Sequence, residues 1–157
     1  MLNNSDVLRR LRYALDLSDV RLAEIMGLVG SPVSAEEVVA LIGTKEQREA
    51  HIEACPDNAL RQFLDGLIVE RRGPPPAGLP PRQIAGELTN NDVLKKLRIA
   101  LTLTEPDIQE ILASVDQGMS KGELSALFRK PEHKNFRPAG NQVLRKFLRG
   151  LTERFRD

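Results

Sequence analysis

Apolar residues recur along this chain at the spacing of a helix face, and the same pattern occurs in both halves. In the first predicted helix they fall at i, i+1, i+4, i+7 and i+8, which forms one stripe with a period of 3.6 residues. The residues of this stripe are Val7, Leu8, Leu11, Ala14 and Leu15 in the first half, and Val93, Leu94, Leu97, Ala100 and Leu101 in the second. The pattern predicts an amphipathic helix at the start of each half.

The recurring stripe belongs to an internal duplication. Residues 6–42 align with residues 92–128 without a gap, and 15 of these 37 positions are identical. The match resumes after a shift of two residues, where residues 60–67 align with residues 144–151. We take the copies as residues 3–73 and 89–157. A repeat this strong indicates that the chain is built from two homologous modules.

Each copy predicts four main helices and no strand, so the fold class is all-α with two tandem homologous modules. Three further helical patterns of apolar residues follow the first helix. A less regular link, in which we expect one short turn of helix, precedes the last of these patterns. Polar residues of the N-capping type precede these patterns. The expected caps are the Asn-rich starts at 3–6 and 90–92, Ser18, Thr104, and the capping boxes Ser34–Glu37 and Ser120–Glu123.

A proline-rich segment separates the copies. The five prolines between Pro74 and Pro81 cannot continue a helix and favour polyproline II. The predicted organisation is therefore repeat 1 at residues 1–73, a linker at 74–87, and repeat 2 at 88–157. A helical module of about 70 residues rarely supplies more than about 3–5 kcal/mol of core stability by itself. We therefore favour two copies that pack against each other.

Two glycines occupy matching places inside the last predicted helix of each copy. Gly66 and Gly150 stand within apolar helical patterns, where glycine costs about 1 kcal/mol relative to alanine. Their recurrence indicates close approach to a neighbouring helix. Contact with a ligand is the less favoured interpretation.

The charge of the chain is divided unequally between the copies. The whole chain has a net charge of +1, which gives no global argument for nucleic acid or an anionic membrane. Residues 1–73 hold 9 basic and 12 acidic residues, a net charge of −3, whereas residues 88–157 hold 13 and 9, a net charge of +4. Matched positions reverse sign, as in Glu53 and Arg137, Asp65 and Arg149, and Glu70 and Arg154.

The excess basic residues cluster near the end of the second copy. The candidate contacts to nucleic acid or another partner are Arg129, Lys130, Lys134, Arg137, Arg145, Lys146 and Arg149. Such a cluster can neutralise phosphates. The alternatives are that it faces the acidic copy, within the chain or across a dimer, or that it is a solvated surface. The first helix of each copy is also basic, with Arg9, Arg10 and Arg12 matched by Lys95, Lys96 and Arg98.

No catalytic, cofactor or metal motif emerges. His51 and Cys55 stand four residues apart, but a metal site needs three or four ligands, and a buried, inert Cys55 is the favoured interpretation. The glycine-containing segments at 43–45 and 118–122 do not fit a phosphate-binding loop. The helix-turn-helix interpretation of residues 17–42 needs a longer turn than usual and is disfavoured. We assign no catalytic, cofactor or metal residue, and an enzyme has no positive support.

The sequence also predicts a compartment. The N-terminus does not have the pattern of a signal peptide, and no apolar run reaches the roughly 18–20 residues that span a bilayer. One cysteine cannot form an internal disulfide. We expect a cytoplasmic protein with no membrane association.

Three segments together resemble a known family. The paired starts NNSDVLRRLRYAL and NNDVLKKLRIAL, the stretch CPDNALRQFLDGL and the stretch PEHKNFRPAGNQVLRKFLRGL are similar to the YehS-like proteins. That resemblance implies a small bacterial cytoplasmic protein built from a duplicated helical domain of unknown function. It supplies no established activity and no catalytic residues. The leading hypothesis is a non-enzymatic binding module that contacts nucleic acid through the basic second repeat. The alternatives are a protein-interaction or structural role, with the repeats packed together or in a homodimer, and, less favoured, an enzyme with a site between the repeats.

Overall fold

The computed structural model describes residues 2–74 and 86–156. The polyproline II conformation expected for the linker falls mostly on residues 75–85, which lie outside the described part of the chain. Within the described ranges every regular element is a helix, so the all-α prediction is confirmed. No helix among them is both long and apolar enough to cross a membrane.

The first copy contains five helices and the second contains four. In the first copy they are α1 (Asn4–Ala14), α2 (Asp19–Met26), α3 (Ala35–Ile42), α4 (Lys45–Glu49) and α5 (Asp57–Arg72). In the second copy they are α6 (Asn90–Ala100), α7 (Glu105–Ala113), α8 (Lys121–Leu127) and α9 (Asn141–Phe155). The short α4 is the single turn expected in the irregular link. The prediction of about four main helices in each of two tandem modules is therefore confirmed.

Side-chain caps define where most of these helices begin. Ser18 and Thr104 cap α2 and α7, and Ser34 and Ser120 form complete capping boxes with Glu37 and Glu123. Such caps satisfy helix N–H groups that have no partner within the helix.

The Asn-rich starts follow the prediction only at the first helix. Asn3 caps α1, whereas α6 is capped by Thr89 rather than by an asparagine. The prediction of an asparagine cap for α6 is therefore wrong. Asn90 and Asn91 already lie inside the helix, where their side chains reach other segments of the repeat.

The first and last helices of both copies form the centre of the molecule and run in the same direction; these are α1, α5, α6 and α9. Asn4, at the start of α1, donates to Asp57 at the start of α5, and Asp57 also accepts from the backbone N–H of Leu88, just before α6. At the opposite end Arg72 donates to Thr102, just after α6, and Arg156 donates to the carbonyl of Tyr13. The starts of the central helices therefore gather at one end of the molecule and their ends at the other.

The two copies pack through two equivalent helix pairs. The first helix of each copy lies against the last helix of the other copy, so that α1 contacts α9 and α6 contacts α5. We call these pairs the α1–α9 seam and the α5–α6 seam. A single apolar core, mostly aliphatic, runs through both copies and includes Leu8, Leu64, Leu97, Phe63 and Phe147. The copies therefore form one folded unit, the packed arrangement that the sequence favours.

Gly66 and Gly150 are sites of close helix packing. A Cβ atom on Gly66 would lie 2.9 Å from the carbonyl carbon of Ile25 in α2 and closer still to its oxygen. A Cβ atom on Gly150 would lie 2.7 Å from the carbonyl oxygen of Ile111 in α7. Each glycine lets the last helix of its copy pack directly on the backbone of the second helix.

Candidate nucleic-acid interface on the second repeat

The seven basic candidates come from two neighbouring segments of the second repeat, and together we call them the basic surface. Four of them, Arg129, Lys130, Lys134 and Arg137, lie in the loop between α8 and α9. The other three, Arg145, Lys146 and Arg149, lie on α9 itself. Lys146 is half-buried and the other six are exposed to solvent.

A single asparagine holds the basic loop against the rest of its repeat. Asn91, in the first turn of α6, donates to the carbonyl oxygens of Leu127, at 2.9 Å, and Arg137, at 3.0 Å. Its side-chain oxygen accepts from the backbone N–H of Ala139 at 2.8 Å. These three bonds span the loop from its first residues to its last. Ser5 occupies the equivalent place in repeat 1 and donates to the carbonyl of Leu41 there.

Few carboxylates neutralise the basic surface. Arg137 lies 3.6 Å from Glu123 and Arg149 lies 3.9 Å from Glu153, and all four side chains are more than half exposed. Such exposed pairs contribute little and are screened by salt. None of the other five basic residues has a described carboxylate within 4.0 Å. The surface therefore keeps most of its positive charge.

One arginine of the first repeat lies near the basic surface. Across the α1–α9 seam, burial lowers the pKa of the Arg10 guanidinium; Asp6 opposes this shift, and Arg9 and Arg145 add to it. The Nε of Arg10 is buried without a hydrogen-bond partner among the described residues. Arg145 is therefore near enough for its charge to act on Arg10 of the other repeat.

The residues whose charge reverses between copies mostly pair within their own repeat. Glu70 pairs with Arg21 in repeat 1, and Arg154 pairs with Asp107 in repeat 2. The exception is Asp65, which lies 2.6 Å from Lys96 across the α5–α6 seam. The six exposed residues of the basic surface are open to solvent, and one of them, Arg145, also lies near Arg10 of the first repeat.

A cleft of about 510 Å³ opens beside the basic loop, and we call it the loop cleft. Lys95, Arg129 and Lys130 line it, together with the aromatic rings of Phe128 and Phe136 and the carboxylates of Glu87 and Asp92. Sequence reasoning missed Phe136, because a lone phenylalanine in a charged loop has no helical pattern. Its nearness to several cations is the signal that could have found it. Aromatic rings beside cations are the combination that binds single-stranded nucleic acid.

Other candidate groups do not form a reactive site. Cys55 is fully buried, and burial, together with the negative charges of Glu53 and Asp57, raises its pKa to about 12. His51 is exposed, and His133 accepts from the backbone N–H of Asn135. The described residues contain no group of three or more metal-ligating side chains.

The helix-turn-helix interpretation gains no support from α3. Its outward residues include Glu36 and Glu37 in the first turn, while Val38 and Ile42 are buried. Two carboxylates at the start of a helix that would enter a DNA groove repel phosphates.

The fold and this surface define a duplicated all-helical protein, and comparison with known proteins agrees. The model of a family described as "Protein of unknown function (DUF1456)" matches residues 3–73 and again residues 90–157, and the chain belongs to that family. It is similar to "Uncharacterized protein YehS" of Escherichia coli (strain K12), with 43% identity over 157 residues, covering 98% of this chain and 96% of the relative. No solved structure matches the chain. The resemblance to the YehS-like proteins is confirmed.

Proposed function

We propose that this protein is a non-enzymatic binding module that contacts nucleic acid through the basic surface of its second repeat. One observation carries the proposal: six of the seven residues of the basic surface are exposed, and only two of the seven have a described carboxylate within 4.0 Å. Clustered lysine and arginine side chains bind phosphates and release condensed counterions. Arginine and lysine also serve poorly as proton acceptors at neutral pH, which favours binding over catalysis.

Single-stranded nucleic acid fits the geometry better than a duplex groove does. The loop cleft places Phe128 and Phe136 beside Arg129 and Lys130, so bases can stack while their phosphates meet cations. A helix that enters a duplex groove has to project from the molecule. The helix of the basic surface, α9, instead packs on α1 and α7.

A binding assay with labelled single-stranded RNA and DNA tests this function. Fluorescence anisotropy is measured at about 50 mM and about 200 mM salt with the intact protein, since phosphate contacts make affinity salt-dependent. Lys130→Glu with Lys134→Glu is expected to weaken binding at least tenfold. It should also reduce the salt slope by about 0.7 for each phosphate that the variant no longer neutralises.

The matched control reverses two exposed cations of the first repeat, Lys45→Glu with Arg71→Glu. It changes the net charge by the same amount but leaves the basic surface intact, so its affinity should stay close to that of the unaltered protein. Absence of binding to both RNA and DNA at low salt overturns the proposal. Equal losses of affinity in the two variants contradict the assigned surface.

A protein-interaction or structural role is the second candidate, and the ion pair between Asp65 and Lys96 favours it. This pair joins an acidic residue of one repeat to a basic residue of the other. If two molecules form a homodimer through similar pairs of acidic and basic residues, light scattering should show a molecular mass that halves as salt is raised. A constant monomer mass removes the dimer version of this alternative.

A further inference from the structure

Two equivalent clefts lie where the central helices end. The first cleft has a volume of about 400 Å³ and is lined by Arg9, Arg12, Arg48 and Arg156, with Tyr13 and Asp16. The second cleft has a volume of about 390 Å³ and is lined by Arg72, Lys95 and Arg98, with Ile99, Thr102 and Phe128. Both volumes lie within the usual range for small-ligand sites.

The clefts correspond through the internal duplication. Arg9, Arg12 and Arg156 of the first cleft occupy the repeat positions of Lys95, Arg98 and Arg72 in the second. Each cleft therefore combines the first helix of one repeat with the last helix of the other. Neither cleft is complete within a single repeat.

The copies keep positive charge at these places although they reverse it elsewhere. Asp65 and Glu70, in the same helix as Arg72, have arginines as their counterparts in α9. The clefts retain a cation at all three matched positions. Arg10 and Arg61 likewise have cations, Lys96 and Arg145, as their counterparts, so the first and last helices keep several matched positive charges.

The cations of the second cleft have no carboxylate partners among the described residues. Arg72 donates to the hydroxyl of Thr102 at 3.0 Å, and the Arg98 guanidinium lies 4.8 Å from the centre of the Phe128 ring. No described carboxylate lies within 4.0 Å of Arg72, Lys95 or Arg98. Three positive charges therefore border one cavity without a balancing negative group.

The first cleft is partly neutralised. Arg9, Arg12 and Arg156 contact Asp6, Asp19 and Asp16 respectively, while Arg48 lies 4.0 Å from Asp6 and donates to the carbonyl of Gly43. Each of these four ion pairs uses one nitrogen of a guanidinium that has five N–H donors. Donors remain for a ligand, but the carboxylates make this cleft the weaker anion site.

The favourable interaction of cations with helix C-termini accounts for only part of this arrangement. Arg12, Arg98 and Arg72 lie in the last turns of their helices, where a positive charge is stabilising. Arg9 and Lys95 lie further from the helix ends. That interaction also gives no reason for cations of two repeats to surround one cavity.

We propose that the two clefts bind phosphate groups, with the second cleft as the stronger site. Arginine forks and a lysine ammonium suit a phosphate, which offers several acceptor oxygens and up to two negative charges. The apolar wall formed by Ile99 and Phe128 accommodates the organic part of a phosphate ester. The phosphate comes from a nucleic-acid strand or from a small phosphorylated molecule. The proposal does not depend on the basic surface, although the second cleft borders the loop cleft and shares Lys95 and Phe128 with it.

The test measures thermal stability and affinity of the intact protein with inorganic phosphate and adenosine 5′-monophosphate, each against chloride at matched ionic strength. Both phosphates should raise the Tm, because a ligand that binds only the folded state stabilises it. Arg72→Gln with Arg98→Gln should lower the affinity for adenosine 5′-monophosphate at least tenfold and remove most of the rise. Arg72→Gln alone, at an exposed position, should lower the affinity by several-fold if the double variant does not fold. Arg71→Gln with Lys121→Gln, which removes two exposed cations outside both clefts, should retain the rise.

A rise in Tm no larger in phosphate than in chloride overturns the proposal. A folded variant with Arg72→Gln and Arg98→Gln whose Tm rises as much as that of the unaltered protein also overturns it. An oligonucleotide without terminal phosphates identifies the source of the phosphate. Loss of oligonucleotide binding in the cleft variant indicates strand phosphates, whereas unchanged binding indicates a small phosphorylated ligand. Lys130→Glu with Lys134→Glu should weaken strand binding at least tenfold but keep the phosphate-linked rise in Tm, so failure of the proposed function and failure of the clefts are distinguishable.

Discussion

At the scale of single residues, the tightest packing constraint falls on the two glycines of α5 and α9. The sequence predicts both positions, because a glycine that recurs inside a strong helical pattern has a cost that packing explains. It does not predict which helix approaches. The structure assigns that role to Ile25 and Ile111, whose backbone carbonyls occupy the space of a side chain.

Gly66→Ala is expected to destabilise the protein by about 1–3 kcal/mol, since an added methyl group meets the carbonyl of Ile25. Urea denaturation measures the change. Gly122→Ala is the control, because Gly122 lies in α8 and an added Cβ meets nothing within 4 Å. The control should be neutral or more stable by up to about 1 kcal/mol. Equal destabilisation by both substitutions would contradict the close approach.

A second residue-scale prediction concerns the carboxyl group of Asp107. The backbone N–H and the hydroxyl of Thr104 both hydrogen-bond to Asp107 and lower its pKa from 3.8, with a smaller contribution from Arg154. A lowered pKa in the folded state stabilises the protein above the unfolded value. That stabilisation is lost as pH falls through the folded pKa. Thr104→Ala should therefore raise the pKa of Asp107 toward 3.8, as followed by carbon NMR of the carboxyl group. An unchanged pKa would show that the hydroxyl contributes nothing.

At the scale of elements, the helices are predictable from the sequence and the loops are not. Apolar spacing and the Ser–Glu capping boxes define α3 and α8, because these signals are local. The loop between α8 and α9 is held by Asn91, whose partners lie 36 to 48 residues away in the chain. No local pattern shows such bonds. The sequence alone therefore favours a cap at this asparagine pair, which the structure does not show.

Asn91→Ala is expected to loosen the basic loop while the helices persist. Its three hydrogen bonds are removed, two of them partly buried and one exposed, so the cost should not exceed the roughly 1–3 kcal/mol of an unsatisfied buried group. Hydrogen exchange at the backbone N–H of Ala139 should accelerate, because Asn91 is its acceptor. Unchanged protection of that amide would show that the loop is held in another way.

At the scale of the whole molecule, the two repeats depend on each other. Each first helix packs on the last helix of the other copy, so a separated repeat loses the packing of both its first and its last helix. The sequence indicates this dependence through the small size of each module. The net charges of the two halves do not reveal that most ion pairs form within a repeat.

The intact protein should unfold in one cooperative transition. Circular dichroism and the tyrosine fluorescence of Tyr13 should give the same midpoint in urea, since coincident probes indicate two-state behaviour. Separate fragments 1–73 and 88–157 should show little helix alone. Two distinct transitions, or a stably folded single fragment, would contradict the shared core.

If the proposed function is right, the second repeat supplies the nucleic-acid-binding face of a duplicated scaffold. The most direct measurement is NMR mapping of the intact, nitrogen-15-labelled protein during titration with a short single-stranded RNA. The chemical-shift changes should concentrate on residues 129–137 and 145–149, with Arg10 beside them across the α1–α9 seam. Shifts confined to α2–α4 of the first repeat, or none at low salt, would contradict it.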